Sequence, residues 1–60
     1  MNYLIGQRVL LGNNEIGTIV TPERKDLPNT DSDMWVMSPS RGYASRYSIC
    51  NIAPLPGGQL

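Results

Sequence analysis

The chain has 60 residues, enough for one small domain, and its five basic and five acidic side chains give a formal net charge of zero. One cysteine and no histidine exclude an internal disulfide and leave a zinc site without its usual nitrogen and sulfur ligands. A chain of this size buries only about 60% of the surface that its unfolded form exposes, and self-association is the further support that this composition leaves open.

The charge is distributed unevenly along the chain. Residues 1–33 carry three basic and five acidic side chains, a formal charge of −2, whereas residues 34–60 carry only Arg41 and Arg46, a formal charge of +2. The total of zero provides no bulk attraction toward nucleic acid or an anionic membrane, although the second half has a small basic character.

The location of the protein is predicted from what its sequence lacks. No apolar run approaches the roughly 18–20 residues that a membrane helix needs, and the N-terminus lacks the basic start and small-residue cleavage site of a signal peptide. A single unpaired cysteine fits a reducing compartment. We therefore expect a cytoplasmic protein that does not contact a membrane.

The first half of the chain predicts a β-hairpin. Residues 7–11 and 15–20 have the β-branched and aliphatic content of strands, and residues 12–14, a glycine and two asparagines, tolerate the positive φ of a tight turn. Gly17 stands inside the second strand, where a glycine marks a bulge or a close approach by a neighbouring segment.

Residues 21–33 differ in kind from the segments around them. They hold two prolines, six charged side chains and one aliphatic residue, Leu27. Burial of so little apolar surface cannot offset the entropy of ordering the segment, so we expect a long surface loop. A helix capped by Thr21 would end before Pro28 with almost nothing apolar to bury, and one helical turn is the most we expect.

The second half predicts three more strands and one short helical turn. In the third strand, residues 34–38, Met34 and Val36 fall on one face and Trp35 and Met37 on the other, and we expect Trp35 and Met37 to belong to the core. The remaining segments are a turn at 39–42, a strand at 43–48, a 3₁₀ turn at 49–51 and a last short strand at 52–55.

Five short strands, a long loop between the second and third, and a 3₁₀ turn before the last are the order of elements in an SH3-like small barrel. The predicted fold class is therefore all-β, with a single SH3-like barrel domain over residues 1–55 and a flexible tail over residues 56–60. The alternative is an open β-meander that a partner chain completes.

Short motifs resemble known barrels of this kind. The pair Gly6-Gln7-Arg8-Val9 and Gly17-Thr18-Ile19-Val20 resembles the opening hairpin of SH3-like barrels of the KOW type and of the photosystem accessory subunit type. The second half of the chain resembles the closing strands of the plasmid-borne type II dihydrofolate reductases. The matching residues are Trp35-Val36, Gly42-Tyr43-Ala44-Ser45, Tyr47-Ser48-Ile49 and Ile52-Ala53-Pro54-Leu55. The resemblance spans residues 6–55 and implies a fold much more than a function.

The reductase family forms a homotetramer whose central pore carries a valine-glutamine-isoleucine-tyrosine run on the fourth strand and a lysine at the end of the first. When Tyr47 is matched to that tyrosine, Ser45 replaces the glutamine and Arg46 replaces the isoleucine. Leu10 or Leu11 stands where the lysine would be. The residues that recognise cofactor and folate are mostly absent, so the resemblance implies a barrel without the reductase site.

No catalytic set is visible in the sequence. Without histidine, a general base near neutral pH would need a carboxyl or thiol group with a shifted pKa, and the acidic residues cluster in the solvated loop. Cys50 follows Ile49 in a turn that we expect to be buried, which indicates a packed thiol. Asp31 and Asp33 lack the glycine and distal glutamate of a calcium loop. We therefore predict no catalytic residue, no metal site and no cofactor.

The candidate binding residues lie on the hairpin formed by the third and fourth strands; they are Arg41, Tyr43, Arg46 and Tyr47. Guanidinium groups and aromatic rings are common hot spots of protein interfaces, and they also contact phosphates and stack on bases. The opposing interpretation is that both tyrosines belong to the core and both arginines are plain surface charges.

We expect a small non-enzymatic protein-binding module, such as a phage, plasmid or bacterial accessory protein, that acts through self-association or a host protein partner. The alternative is a KOW-like nucleic-acid-binding module whose phosphate contacts come from Arg24, Lys25, Arg41 and Arg46. A third hypothesis is an oligomeric enzyme similar to the type II dihydrofolate reductases.

Overall fold

A computed structural model describes residues 3–55, which form one antiparallel sheet of five strands. The strands are β1 (Arg8–Leu11), β2 (Ile16–Ile19), β3 (Asp33–Ser38), β4 (Tyr43–Ser48) and β5 (Ile52–Pro54), and a 3₁₀ helix spans Ile49–Asn51. Within residues 3–55 there is no α-helix, and no helix long and apolar enough to cross a membrane. The predicted all-β fold of five strands is confirmed, whereas the predicted tail, residues 56–60, lies outside the described residues.

The strands are ordered β4-β3-β2-β1-β5, and the sheet curls into a half-barrel. Side chains alternate between its two faces, and the register places apolar residues of neighbouring strands opposite each other on one of them, the inner face. The core on this face consists of Tyr3, Val9, Leu11, Ile19, Met34, Val36 and Ile52, with Tyr47 and Ile49 packed against it.

Gly17 makes the centre of the core possible. It lies opposite Val9 on β2, and a Cβ atom built there would lie 2.5 Å from Cγ1 of Val36 and 3.2 Å from Cδ1 of Leu11. Real Cβ atoms do not approach other atoms so closely, so only glycine lets β3 and β1 pack this tightly across β2. Of the two roles predicted for Gly17, a bulge or a close approach by a neighbouring segment, the structure shows the close approach.

Residues 20–32, which connect β2 with β3, are tied to the sheet through Trp35. The indole Nε1 donates to the Leu27 carbonyl at 2.6 Å, and the Trp35 backbone N–H donates to Oδ1 of Asn29 at 2.7 Å. Asn29 in turn donates from Nδ2 to the Val20 carbonyl at 3.1 Å. A loop with little apolar content therefore packs on the sheet through hydrogen bonds to a buried aromatic residue.

Trp35 is buried as expected, but it lies outside the central core cluster. Trp35 is only 7% exposed, but it projects from the outer face of β3, opposite Arg46, and is not part of the core cluster around Met34 and Val36. The loop buries its ring instead. Met37, on the same face, is half-buried. The predicted alternation of β3 is confirmed, and Trp35 is buried as predicted, but beneath the loop and outside the central core cluster, while Met37 is only half-buried.

Candidate interaction surface

The hairpin of β3 and β4 carries all four candidate binding residues, and β4 forms one edge of the sheet. Its six residues pair with β3, from Asp33 opposite Ser48 to Ser38 opposite Tyr43, and no other strand among residues 3–55 pairs with it. The opposite edge is β5, which has three residues and ends in Pro54. The longer edge, and the one without a proline, therefore belongs to the candidate surface.

Tyr43 and Tyr47 project from the same face of β4 but differ in burial. Tyr43 begins the strand and is 55% exposed, which makes it one of the large hydrophobic side chains that remain in solvent. Tyr47 lies opposite Met34 and packs against the core cluster. The interpretation of these tyrosines as core residues therefore describes Tyr47 in part and does not describe Tyr43.

Arg41 is exposed in the turn between β3 and β4, where Gly42 has a φ of +75° that favours glycine. Both residues donate backbone N–H groups to the Ser38 carbonyl, at 3.2 and 2.9 Å respectively. The Arg41 side chain lines a surface cleft of about 280 Å³ whose other lining residues are Leu11, Gly12, Asn13, Tyr47 and Asn51. One cation, two amides and a phenol line this cleft without an acidic side chain, a combination that suits a carboxylate.

Glu15, immediately before β2, holds the same turn from the neighbouring strand, because the start of β2 lies beside the end of β3. Its carboxylate accepts hydrogen bonds from the Ser38 hydroxyl at 2.6 Å, the Ser40 backbone N–H at 3.0 Å and the Ser40 hydroxyl at 3.0 Å. These bonds keep the pKa of Glu15 below its ordinary value because they stabilise the charged form, and the bond from Ser38 has the largest effect. The turn that presents Arg41 is thus fixed to the start of β2.

Arg46 has partners within the chain. Its Nη2 donates to the Pro28 carbonyl at 2.6 Å, and Nη1 lies 3.5 Å from a carboxylate oxygen of Asp33, while the side chain is only 26% exposed. Its Nε is buried without a hydrogen-bond partner. Arg46 therefore fastens residues 20–32 to the outer face of β4, which leaves Arg41 as the more accessible arginine of the hairpin.

The four residues proposed to contact phosphates lie in the β2–β3 loop, in the β3–β4 turn and on β4. Arg24 forms a two-point ion pair with Asp26, at 3.2 Å from Nε and 2.8 Å from Nη2, and both side chains are well exposed. Lys25 is exposed in the same loop, Arg41 lies in the β3–β4 turn, and Arg46 is held as described above. Two of the four cations are thus already partnered by carboxylates.

Cys50 corrects a further expectation, since its side chain is exposed rather than packed. A 3₁₀ helix has three residues per turn, so Ile49 and Ile52 both reach the core while the residue after Ile49 faces away from it. The Ser48 hydroxyl caps this helix by accepting the Cys50 backbone N–H at 3.3 Å. Within residues 3–55, no group of three or more histidine, cysteine, aspartate or glutamate residues could hold a metal ion.

Sequence reasoning missed Glu15 and Ser38 as determinants of this surface. Ser38 is a polar residue at the end of a strand, yet it is only 1% exposed, and its hydroxyl is bonded to Glu15. The two residues are 23 positions apart, so no local pattern could indicate the bond.

The chain was compared with protein-family models, with curated proteins and with solved structures, and none of the three comparisons gives a match.

Proposed function

We propose that the protein is a small SH3-like barrel module that binds another protein chain and has no catalytic activity of its own. The SH3-like classification is supported by the strand order β4-β3-β2-β1-β5, by the long connection between β2 and β3, and by the 3₁₀ helix before β5. The observation that carries the binding function is the unpaired edge of β4, at whose start Tyr43 is 55% exposed.

Two kinds of contact are available to a protein partner on this surface. Tyr43 offers a rigid ring that loses little conformational entropy when it becomes buried, and tyrosine and arginine are both enriched among interface hot spots. Arg41 and Tyr47 border the cleft that suits a carboxylate of the partner. Arg46 contributes indirectly, because it holds the loop behind β4.

A protein partner has more support than nucleic acid. Binding driven by phosphate contacts depends on several unpaired cations on one surface, and here Arg24 pairs with Asp26 while Arg46 lies beside Asp33. The formal net charge of zero adds no long-range attraction. An edge strand with an exposed tyrosine, by contrast, is a usual feature of protein recognition by strand addition.

The proposal is tested by capture of partners from a host lysate with three forms of the immobilised protein: the wild type, Arg41→Ala with Tyr43→Ala, and a control with Arg24→Ala and Ile16→Ala. The control also removes one exposed arginine, from the loop between β2 and β3, and one exposed apolar side chain, from β2. We expect a partner that the wild type and the control retain and the Arg41/Tyr43 variant loses, with unchanged circular dichroism. Equal retention by all three forms would contradict the proposed surface.

A further inference from the structure

We propose that the partner is a second copy of this chain, and that two copies pair antiparallel along β4 with Ser45 opposite the partner's Ser45. This inference rests on the proposed function, because it names the occupant of the same edge. The resulting interface has a two-fold axis perpendicular to the sheet, and it extends each five-stranded sheet into that of the other copy.

The backbone of β4 has groups directed to the open edge. The Ile49 N–H donates to the Ser32 carbonyl at 2.8 Å, one step beyond the last residue pair of the β3–β4 ladder. Because hydrogen-bonded and non-hydrogen-bonded pairs alternate in an antiparallel ladder, every second residue from Ile49 back along β4 bonds to β3. The other residues turn their N–H and C=O groups to the edge; they are Ala44, Arg46 and Ser48.

Three registers pair most of two β4 strands and keep both inner faces on the same side of the joint sheet. They place the two-fold axis at Ala44, Ser45 or Arg46, because residues opposite each other across a strand pair must share a face. In all three registers, residues whose backbone groups face the edge lie opposite such residues of the other copy, so that N–H groups of one copy can bond to C=O groups of the other. The side chains therefore select among the registers.

The register centred on Ser45 is the one that the side chains favour. It puts Tyr43 opposite the partner's Tyr47, twice by symmetry, and puts Arg46 opposite the partner's Ala44. Cross-strand aromatic pairs stabilise sheets, and the pairing covers the exposed ring of Tyr43. A register centred on Arg46 would instead set two guanidinium groups against each other, and one centred on Ala44 would leave Tyr43 opposite the partner's Ser45.

A second copy fits this edge better than an unrelated strand for two reasons. The sequence of β4, Tyr-Ala-Ser-Arg-Tyr-Ser, complements its own reverse in the Ser45 register, which an isologous contact requires. The chain also has a formal net charge of zero, so two copies approach without net repulsion. The edge lacks the proline and lysine residues by which sheet edges are protected from pairing, and its one charged residue, Arg46, lies beside Asp33.

Cysteine cross-linking tests both the pairing and its register. Three variants are made in a Cys50→Ser background, each with one cysteine, at position 44, 45 or 46. Each protein, at micromolar concentration, is treated with a mild oxidant. Residues on the axis of a non-hydrogen-bonded pair have Cα atoms about 4.5 Å apart, within the range of a disulfide, so Ser45→Cys should give a covalent dimer. Ala44→Cys and Arg46→Cys should give no covalent dimer, because in this register each of these residues faces a different residue of the partner. Faster cross-linking at position 44 or 46, or none at position 45, would overturn the proposed register.

Sedimentation of the reduced proteins provides the second measurement. The wild type should shift from monomer to dimer between about 1 μM and 1 mM, the range expected of a modest interface. Ser45→Lys sets two like charges opposite each other and should weaken the dimer roughly fivefold or more. Ala53→Lys is the control, because it adds the same charge to the exposed outer face of the other edge strand; it should leave the dimer unchanged.

The outcomes separate this inference from the proposed function. A wild type that stays monomeric throughout the range, yet loses a foreign partner when Arg41 and Tyr43 are replaced, would overturn the pairing of two copies and leave a protein-binding module. A dimer unaffected by Ser45→Lys would also overturn it. If the variant with Arg41→Ala and Tyr43→Ala retained every partner that the wild type captures, the proposed function itself would be contradicted.

Discussion

The Ser38 hydroxyl donates a hydrogen bond of 2.6 Å to the Glu15 carboxylate and so joins the end of β3 to the residue before β2. Ser38 is 1% exposed, and Glu15 also accepts from Ser40 in the turn that carries Arg41. A short bond between a charged acceptor and a buried hydroxyl is stronger than a neutral one. One carboxylate therefore stabilises the turn and sets the orientation of the candidate surface.

The Glu15 contact makes stability depend on pH. Because the pKa of Glu15 is lower in the folded chain, its contribution is fully present above the unfolded pKa and is lost as the pH falls through the folded pKa. We expect Glu15→Gln to lower Tm at pH 7, and we expect the difference from the wild type to shrink below about pH 4. Thermal unfolding followed by circular dichroism from pH 2 to pH 8 measures it. A constant difference across that range, or the same loss with the loop control Glu23→Gln, would contradict this assignment.

Gly17→Ala should destabilise the protein by about 1–3 kcal/mol, because the new methyl group would meet Cγ1 of Val36. Gly12→Ala is the matched control, since Gly12 has open space around the position of a Cβ. Urea unfolding gives both free energies. Adding Val36→Ala to Gly17→Ala removes the clashing atom, so the double variant should be more stable than the sum of the two single losses predicts. Additive losses would show that the close approach is not the cause.

Trp35→Phe should loosen residues 20–32, because phenylalanine fills much of the same space but cannot donate to the Leu27 carbonyl. Loss of this hydrogen bond should lower the free energy of unfolding, measured with urea, by about 1 kcal/mol. The more specific readout is trypsin cleavage after Arg24 and Lys25, which should become faster than in the wild type under native conditions. An unchanged cleavage rate would mean that the indole bond does not hold the loop.

Arg41 and Arg46 should separate into a binding residue and a stabilising residue. Arg46→Ala removes the bond to the Pro28 carbonyl and should cost about 1–2 kcal/mol, whereas Arg41→Ala should leave the free energy of unfolding unchanged within about 0.5 kcal/mol. Partner capture should show the reverse order, with the larger loss for Arg41→Ala. Urea unfolding and capture on the same two proteins provide the comparison. Equal destabilisation by both substitutions would contradict the distinct environments of the two arginines.

Sequence alone determined the five strands, because alternation of apolar residues and the turn chemistry of glycine, asparagine and proline are local properties. The hairpin of β3 and β4 and the 3₁₀ helix at Ile49–Asn51 lie where those patterns predict them. The same local rules indicated a bulge or a close approach at Gly17, and the structure shows the close approach. The candidate residues Arg41, Tyr43, Arg46 and Tyr47 accordingly lie together on one hairpin.

Only the tertiary structure decided which of those residues remain available. Alternation assigns Trp35 to a face but does not say that a loop will cover it, and the Arg46 contact joins residues 18 positions apart. The bond from Ser38 to Glu15 spans 23 positions. Such contacts depend on how the sheet curls and where the loop returns, so no window of neighbouring residues contains them. They hold Arg46 against the sheet, fix the turn of Arg41 and leave Tyr43 at an open edge.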